Sequence, residues 1–369
     1  MTRAAVARLV AGASVSAALV LLTAAPASAT PNMIRLGYPT CSSCHLSPQG
    51  GGLLNNYGRG IDAAQTLRPE DLSSEPGAND LRRLPYDMKF SLGVDRDPPS
   101  AAGYSFSSSA RAAFAVSHGQ YIVYGLSVGS PTLARTQTKT GAASLRMSKL
   151  YWLYQPKEGV SITVGRDDLP SGTGLLGFSR ATTSPNVSST PTQAKVFLWN
   201  KRWQVAAYGF GPDGNETAKK YEARGGGAML GVNVWKDRAV VGVTSRVSYA
   251  DAYDRKNAGA YLRLGMTEHL GVLLEHDVTA RTTDKGEHLT HVAGYSQLFW
   301  VPVDWLQTGL AVEDVTTLRG AHTYRLTPSA QVRLNRNVGI AFNTRDVYTG
   351  VAAGRSRTYS VQLSLKTVQ

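Results

Sequence analysis

Cysteine is almost missing from this chain: Cys41 and Cys44 are its only two. That scarcity excludes a disulfide-stapled secreted scaffold. It also excludes a zinc site built from two cysteine pairs, because no second pair exists. Long apolar runs are missing too. Beyond residue 29 the sequence has no stretch of about eighteen apolar residues, so no transmembrane helix is available. Acidic residues are in deficit, 26 Asp and Glu against 39 Lys and Arg, for a net charge of +13. The basic residues are scattered through strand-like segments rather than gathered into a patch, and nucleic acid is therefore not an expected partner.

The first 29 residues read as a secretory signal. Arg3 and Arg8 form a positive start, Leu9–Thr23 is rich in small apolar residues, and Ala27-Ser28-Ala29 is an A-x-A cleavage site. Removing Arg3 and Arg8 lowers the net charge by two, to +11. The expected destination is an exported compartment, where a cysteine pair closes as a disulfide or carries a group attached after export.

The two cysteines stand as Cys41-Ser42-Ser43-Cys44-His45. Two thiols three positions apart, followed at once by histidine, form the attachment signature of a c-type haem. The thiols reach the two vinyl groups of one porphyrin, and the next imidazole is placed to bind iron. A redox dithiol is the alternative, but no βαβ pattern surrounds the motif. The expected cofactor is one covalent haem c, with Cys41 and Cys44 as thioether anchors and His45 as proximal ligand. Residues 30–83 form a small unit around this motif, too small to bury a core comfortably alone. Within it, Gly50-Gly51-Gly52 would let backbone pass close to a flat ligand. Arg59 is a candidate partner for a haem propionate, against the plain reading of a surface arginine. For the distal ligand, Met88 and His276 fall on outward strand phases and His118 in a turn, while Met229 is on an inward phase. Met33 is offered first, and a five-coordinate iron is the alternative.

From residue 84 to 369 apolar and polar residues alternate with period two, as in Tyr86, Met88, Phe90, Leu92 and Val94 against Asp87, Lys89, Ser91 and Gly93. The spacing predicts sixteen strands: 85–94, 103–117, 120–129, 142–156, 159–167, 192–200, 202–211, 223–236, 238–250, 257–267, 269–281, 288–301, 304–315, 322–334, 338–347 and 355–367. A soluble sandwich would show the same alternation. The connections decide against it, because tight turns such as His118-Gly119, Asn200-Lys201 and Lys236-Asp237 alternate with longer polar links, the longest running from Asp168 to Pro191. An even strand number with short and long links in alternation predicts an all-β fold, a transmembrane antiparallel β-barrel of the outer membrane.

That fold gives each face a chemistry. Lipid would meet the apolar face, with Tyr104, Phe114, Tyr151, Trp152, Trp199, Trp203, Trp235, Trp300 and Trp305 as interfacial girdles. The inner face would carry Lys89, Arg111, Arg246, Arg263, Arg325, Arg333 and Arg345, with Asp87, Glu275 and Glu313. A lumen dominated by arginine is electropositive and suits an acidic plug, propionates or anionic solutes, unless it is simply a wide channel.

A signal peptide, a single Cys-x-x-Cys-His unit and a barrel of about sixteen strands resemble together the fused cytochrome–porins of bacterial outer membranes. The resemblance covers nearly the whole exported chain in architecture, and only Cys41, Cys44 and His45 carry it by sequence. It implies a small cytochrome unit plugging the barrel and passing electrons between periplasmic carriers and an external donor or acceptor, ferrous iron being the substrate of the best known members. The chain departs from that family in ending Lys366-Thr367-Val368-Gln369 without a terminal aromatic, and in lacking an acidic or histidine-rich external loop. Three functions follow: an electron conduit, a haem catalyst such as a peroxidase, and a diffusion porin with a structural plug.

Overall fold

The computed structural model describes residues 31–48, 53–67, 86–96, 103–117, 119–129, 133–134, 144–170, 191–212, 223–316, 322–335, 338–349 and 354–368. The signal segment, the Gly50–Gly52 run and His118 lie outside these residues.

The strands are β1 (Tyr86–Arg96), β2 (Gly103–Ser117), β3 (Gln120–Gly129), β4 (Leu133–Ala134), β5 (Ser144–Lys157), β6 (Val160–Arg166), β7 (Thr192–Trp199), β8 (Trp203–Phe210), β9 (Arg224–Asn233), β10 (Ala239–Ala250), β11 (Tyr253–Gly265), β12 (Leu270–Thr283), β13 (His288–Val303), β14 (Leu306–Thr316), β15 (His322–Arg333), β16 (Val338–Thr349) and β17 (Gly354–Val368). Apart from the two-residue β4, each pairs antiparallel with its neighbour in sequence, β3 passing directly to β5. β17 then pairs with β1 from Asp87↔Val368 to Arg96↔Tyr359, which joins the two ends of the sheet. Sixteen long strands in a ring leave no unpaired edge.

Among the described residues the expected strands recur with shifts of a few residues, and one link differs in kind. Residues 251–256 read as a polar loop, yet only Asp251 and Ala252 separate β10 from β11. Asp254–Asn257 are strand because Arg255 turns inward and lies over the Tyr253 ring, 4.6 Å from its centroid. Tight turns close the opposite end. At one of them Lys236 and Asp237 take φ of 41° and 63°, the left-handed pair that matches the twist of a hairpin.

Burial alternates along the strands as a barrel requires. Val241, Val243, Leu274, Val278, Leu298, Leu310 and Val312 are exposed on the outside, while Arg246, Arg255, Arg263, Glu275 and Asp277 are buried inside. An apolar exterior over a charged interior is the reverse of a water-soluble sandwich, and it suits lipid. Two of the nine expected girdle aromatics are misplaced. Tyr151 is 4% exposed and packs inside, and Trp199 packs inward against the core cluster. Trp203, Trp235, Trp300 and Phe114 are exposed as expected. The side chains of Lys89 and Asp87 lie outside the described residues.

The N-terminal unit comprises a 3-10 helix (Pro31–Leu36), a 3-10 turn (Cys41–Ser43) and α1 (Asn56–Ala64). It lodges inside the tight-turn end of the barrel and touches the wall on three sides. Ile34, 1% exposed, packs with Phe197, Tyr261, Leu273, Phe299 and Val301. Leu46 and Leu53 pack on Ala113, Val123, Tyr151 and Leu153 from β2, β3 and β5. On the third side Asp62 pairs with Arg333 at 3.0 Å, and the Leu67 N–H donates to the Arg333 carbonyl at 2.9 Å. A unit too small for its own core thus borrows the inner wall as its second layer.

Candidate functional site

The Cys41–His45 segment is a single helical turn. Thr40 stands extended before it, and the Cys44 and His45 N–H groups both donate to the Cys41 carbonyl, at 3.2 and 3.0 Å. Residues three apart on a helical turn share a face, so Cys41 and Cys44 are brought to one side. Both are free thiols.

Asn55 ties this turn to the rest of the unit. Its backbone N–H donates to the Cys44 carbonyl at 2.9 Å, and its Nδ2 donates to the Ser43 and Ser42 carbonyls at 3.1 and 3.3 Å. Its Oδ1 accepts from the Gly58 N–H at 2.8 Å, which caps α1. Gly58 lets that helix lie directly on the motif, since a Cβ there would fall 2.1 Å from the Cys44 carbonyl oxygen. A short bridge between His45 and Leu54 completes the clamp.

Cys44 and His45 are buried, and Cys41 is half-buried. Burial, with the neighbouring Cys41, pushes the Cys44 thiol up to about 11. On the open side Tyr38 and Tyr57 meet edge to face, with ring centroids 5.9 Å apart and their hydroxyls hydrogen-bonded. That hydrogen bond, with burial, pushes the Tyr38 phenol up to about 12.

A cavity of about 1150 Å³ opens between the unit and the tight-turn end of the wall; His45, Leu46, Ser42 and Asn55 line it from one side and Tyr121 and Trp199 from the other. Sites for drug-sized ligands span roughly 300–1,000 Å³, and this open space is of that order. Two thiols on one face of a helical turn and a buried imidazole facing a cavity are the donor set such a group needs. The residue types of the motif suit haem c, but of the three only His45 lines this cavity; Cys41 and Cys44 do not.

The other expected ligands are placed elsewhere. Neither Met33 nor Arg59 lines the cavity. Met33 Sδ accepts from Gln65 Nε2 at 3.8 Å, and Arg59 is half-buried on α1. Met229 is 3% exposed in the core cluster under Ile34, and His276 is exposed on the outer phase. Asn55 and Gly58 were not singled out by sequence, although an Asn ahead of a helical stretch is a readable cap signal.

A second polar centre was also unforeseen. Lys149 and Lys195, on the inner wall, hold Asp167 and Asp168 just past the end of β6, with Lys149 Nζ 3.0 Å from Asp167 Oδ1. Burial opposes the charge on Asp167, but the two ammonium groups outweigh it and hold its carboxyl down at about 2. Gln193 Nε2 donates to the Asp168 carbonyl at 2.9 Å, so the start of the longest link is pinned to the lumen wall. Further along that wall Arg255 and Arg281 both lie over the Tyr253 ring, at 4.6 and 4.4 Å.

No family model matches this chain, and no curated protein matches it. Among solved structures it is similar to the Vibrio cholerae outer membrane protein OmpT with loop L8 deleted, at a TM-score of 0.58 and 7% identity over 77% of this chain and 99% of that one. It is similar also to the anion-selective porin from Comamonas acidovorans, at 0.56 and 11% over 78% and 99%. The Salmonella typhi OmpF complex with daunomycin gives 0.58 and 11% over 77% and 97%. At such identities the likeness is one of fold: the chain folds as an antiparallel β-barrel of the outer-membrane porin kind.

Proposed function

We propose that this chain is a porin-type barrel of the bacterial outer membrane whose periplasmic mouth is occupied by the N-terminal unit, and that the unit carries one haem c through which electrons pass. The likeness of fold supports the pore directly. The haem rests on one observation: the lone Cys41–His45 turn is seated inside the barrel end with His45 facing a cavity. In this reading Cys41 and Cys44 would hold the group through thioether bonds. His45 would bind the iron, and Ile34, Leu46 and Leu53, packed on the inner wall, would keep water from the seat. When bound, the group supplies one-electron iron chemistry. Met33, the distal ligand expected from sequence, does not line this cavity and would have to leave its Gln65 contact to reach the group. A periplasmic carrier on one side and an external redox substrate on the other are the partners this reading needs.

A second reading, a diffusion porin with a purely structural plug, is favoured by the guanidinium-lined wall of Arg246, Arg255, Arg263 and Arg281. One of the barrels similar in fold is an anion-selective porin, and a lumen of that sign would favour anions.

The test is made on the full chain purified in detergent. Haem that stays with the polypeptide through denaturing electrophoresis, and is lost in Cys41→Ala/Cys44→Ala, supports the first reading. A colourless wild-type chain that conducts ions in a planar bilayer leaves only the second.

A further inference from the structure

We infer that the inner wall of β10–β12 holds a binding site for a small tetrahedral oxyanion of the phosphate class, built from Arg246, Ser248, Arg255 and Arg281. It rests on the second reading above and deepens it, from a lumen of positive sign to a defined site with a ligand class. It stands apart from the haem.

Register brings the four side chains to one patch. Arg255 of β11 is paired directly with Arg281 of β12 on one side and with Ser248 of β10 on the other. Arg246 is the next residue along β10 on the same inward phase. The guanidiniums of Arg255 and Arg281 lie 4.6 and 4.4 Å from the centre of one ring, that of Tyr253, which is 2% exposed and forms the floor. Like charges directly opposite each other on paired strands destabilise the pair. Here two cations share one buried ring and a third stands diagonal to them.

The wall does not neutralise this charge. Among the described residues neither Arg246 nor Arg281 makes an ion pair, and the Nε of each is buried without a hydrogen-bond partner. The inward acids of β12, Glu275 and Asp277, lie nearer the tight-turn end, and Asp277 Oδ1 accepts from Thr244 Oγ1 at 3.5 Å. Ser248 is 1% exposed, and its hydroxyl also has no partner among the described residues. The patch therefore offers donors, guanidinium N–H groups and one O–H. Desolvated cations beside an unbonded hydroxyl are costly unless an acceptor arrives.

The number of donors says which acceptor. One guanidinium fork uses both oxygens of a carboxylate. The several oxygens of a phosphate can meet forks on two strands and the hydroxyl as well. The patch faces the lumen, so the ligand is a solute and not a lipid headgroup. Arg281 is half-buried and forms the open side.

The deciding experiment is equilibrium dialysis of labelled inorganic phosphate against the detergent-purified full chain at pH 7. Wild type is compared with Arg281→Gln, Ser248→Ala and Arg325→Gln, and planar-bilayer conductance is measured on the same samples. Arg325 is paired with Glu313 at 2.9 Å, so its loss removes the same charge from the lumen away from the site. Wild type should bind phosphate saturably, and an equal concentration of chloride should not displace it. Arg281→Gln should weaken binding by about tenfold or more and Ser248→Ala by about 2- to 10-fold. Arg325→Gln should bind as wild type does. If Arg281→Gln does not fold, judged by the heat-modifiable mobility of the barrel, Ser248→Ala decides alone, since it removes a single oxygen. Absence of phosphate binding, displacement by equal chloride, or an equal loss in Arg325→Gln overturns the inference. Anion-preferring conductance in those same samples would leave the porin reading standing. Phosphate binding with the expected variant pattern in a chain that does not conduct would keep the site and remove the pore.

Discussion

Adding one methyl group at Gly58 should separate the fate of the N-terminal unit from that of the barrel. The Cβ of Gly58→Ala would sit 2.1 Å from the Cys44 carbonyl oxygen and 2.8 Å from its carbonyl carbon, both backbone atoms that cannot swing aside. Contacts below 3.0 Å are not tolerated, so α1 must withdraw from the motif by about 1 Å. Asn55 leads that helix, and it makes the 2.9 Å bond to Cys44 and the 3.1 and 3.3 Å bonds to Ser43 and Ser42. At about 0.5–1.5 kcal/mol each, losing these three costs roughly 1.5–4.5 kcal/mol. Alanine returns up to about 1 kcal/mol through better helix propensity. The net local destabilisation is then roughly 0.5–3.5 kcal/mol, about 2- to 400-fold in the population of the opened unit. The assay is limited proteolysis at the N-terminal unit, run beside covalent haem yield and the heat-modifiable mobility of the barrel. Faster cleavage and lower haem yield with unchanged barrel mobility are expected. Wild-type cleavage and haem yield in Gly58→Ala would refute the packing argument.

Asn55→Ala removes the cap of α1 and the clamp on the motif together. It should open the same unit by about 1–2 kcal/mol in the same proteolysis assay. Asp62→Asn weakens the 3.0 Å pair with Arg333, where both side chains are about 15% exposed or less. The unit should then be released from the mouth more readily at low salt, seen as increased cleavage after the linker. Acid should loosen the start of the longest link. Asp167 is held at about 2, below its ordinary 3.8, so its stabilising charge is present above pH 4 and is lost as pH falls through about 2. Protease access beyond Leu169 should rise between pH 4 and pH 2, and Asp167→Asn should show that access already at pH 7. In planar bilayers the open fraction of wild type should prefer chloride over potassium, and Arg246→Glu should reduce the preference.

Much of the barrel could be read directly from the chain, because period-two alternation and turn chemistry are properties of neighbouring residues. Tyr86 to Val94 alternates whatever it packs against, and Lys236-Asp237 turns without help from afar. The polar stretch Asp254–Asn257 misled for the same reason: its strand character comes from Arg255 stacking over Tyr253 inside a ring of strands. Tyr151 and Trp199 misled likewise, since an aromatic near a rim is local information and the side it faces depends on what fills the lumen.

The five residues Cys41–His45 suggest a cofactor class by spacing alone, since two cysteines and a histidine three and four positions apart lie on one helical turn. Their seat could not be read that way. Arg263 is 222 positions from Cys41, and Arg333 is 271 from Asp62. Which arginine of a scattered many faces the motif is settled only when the ring of strands has formed and the small unit has entered its mouth. Sequence carries the local grammar of strands, turns and the haem signature, while contacts across hundreds of residues are made by the closing of the sheet.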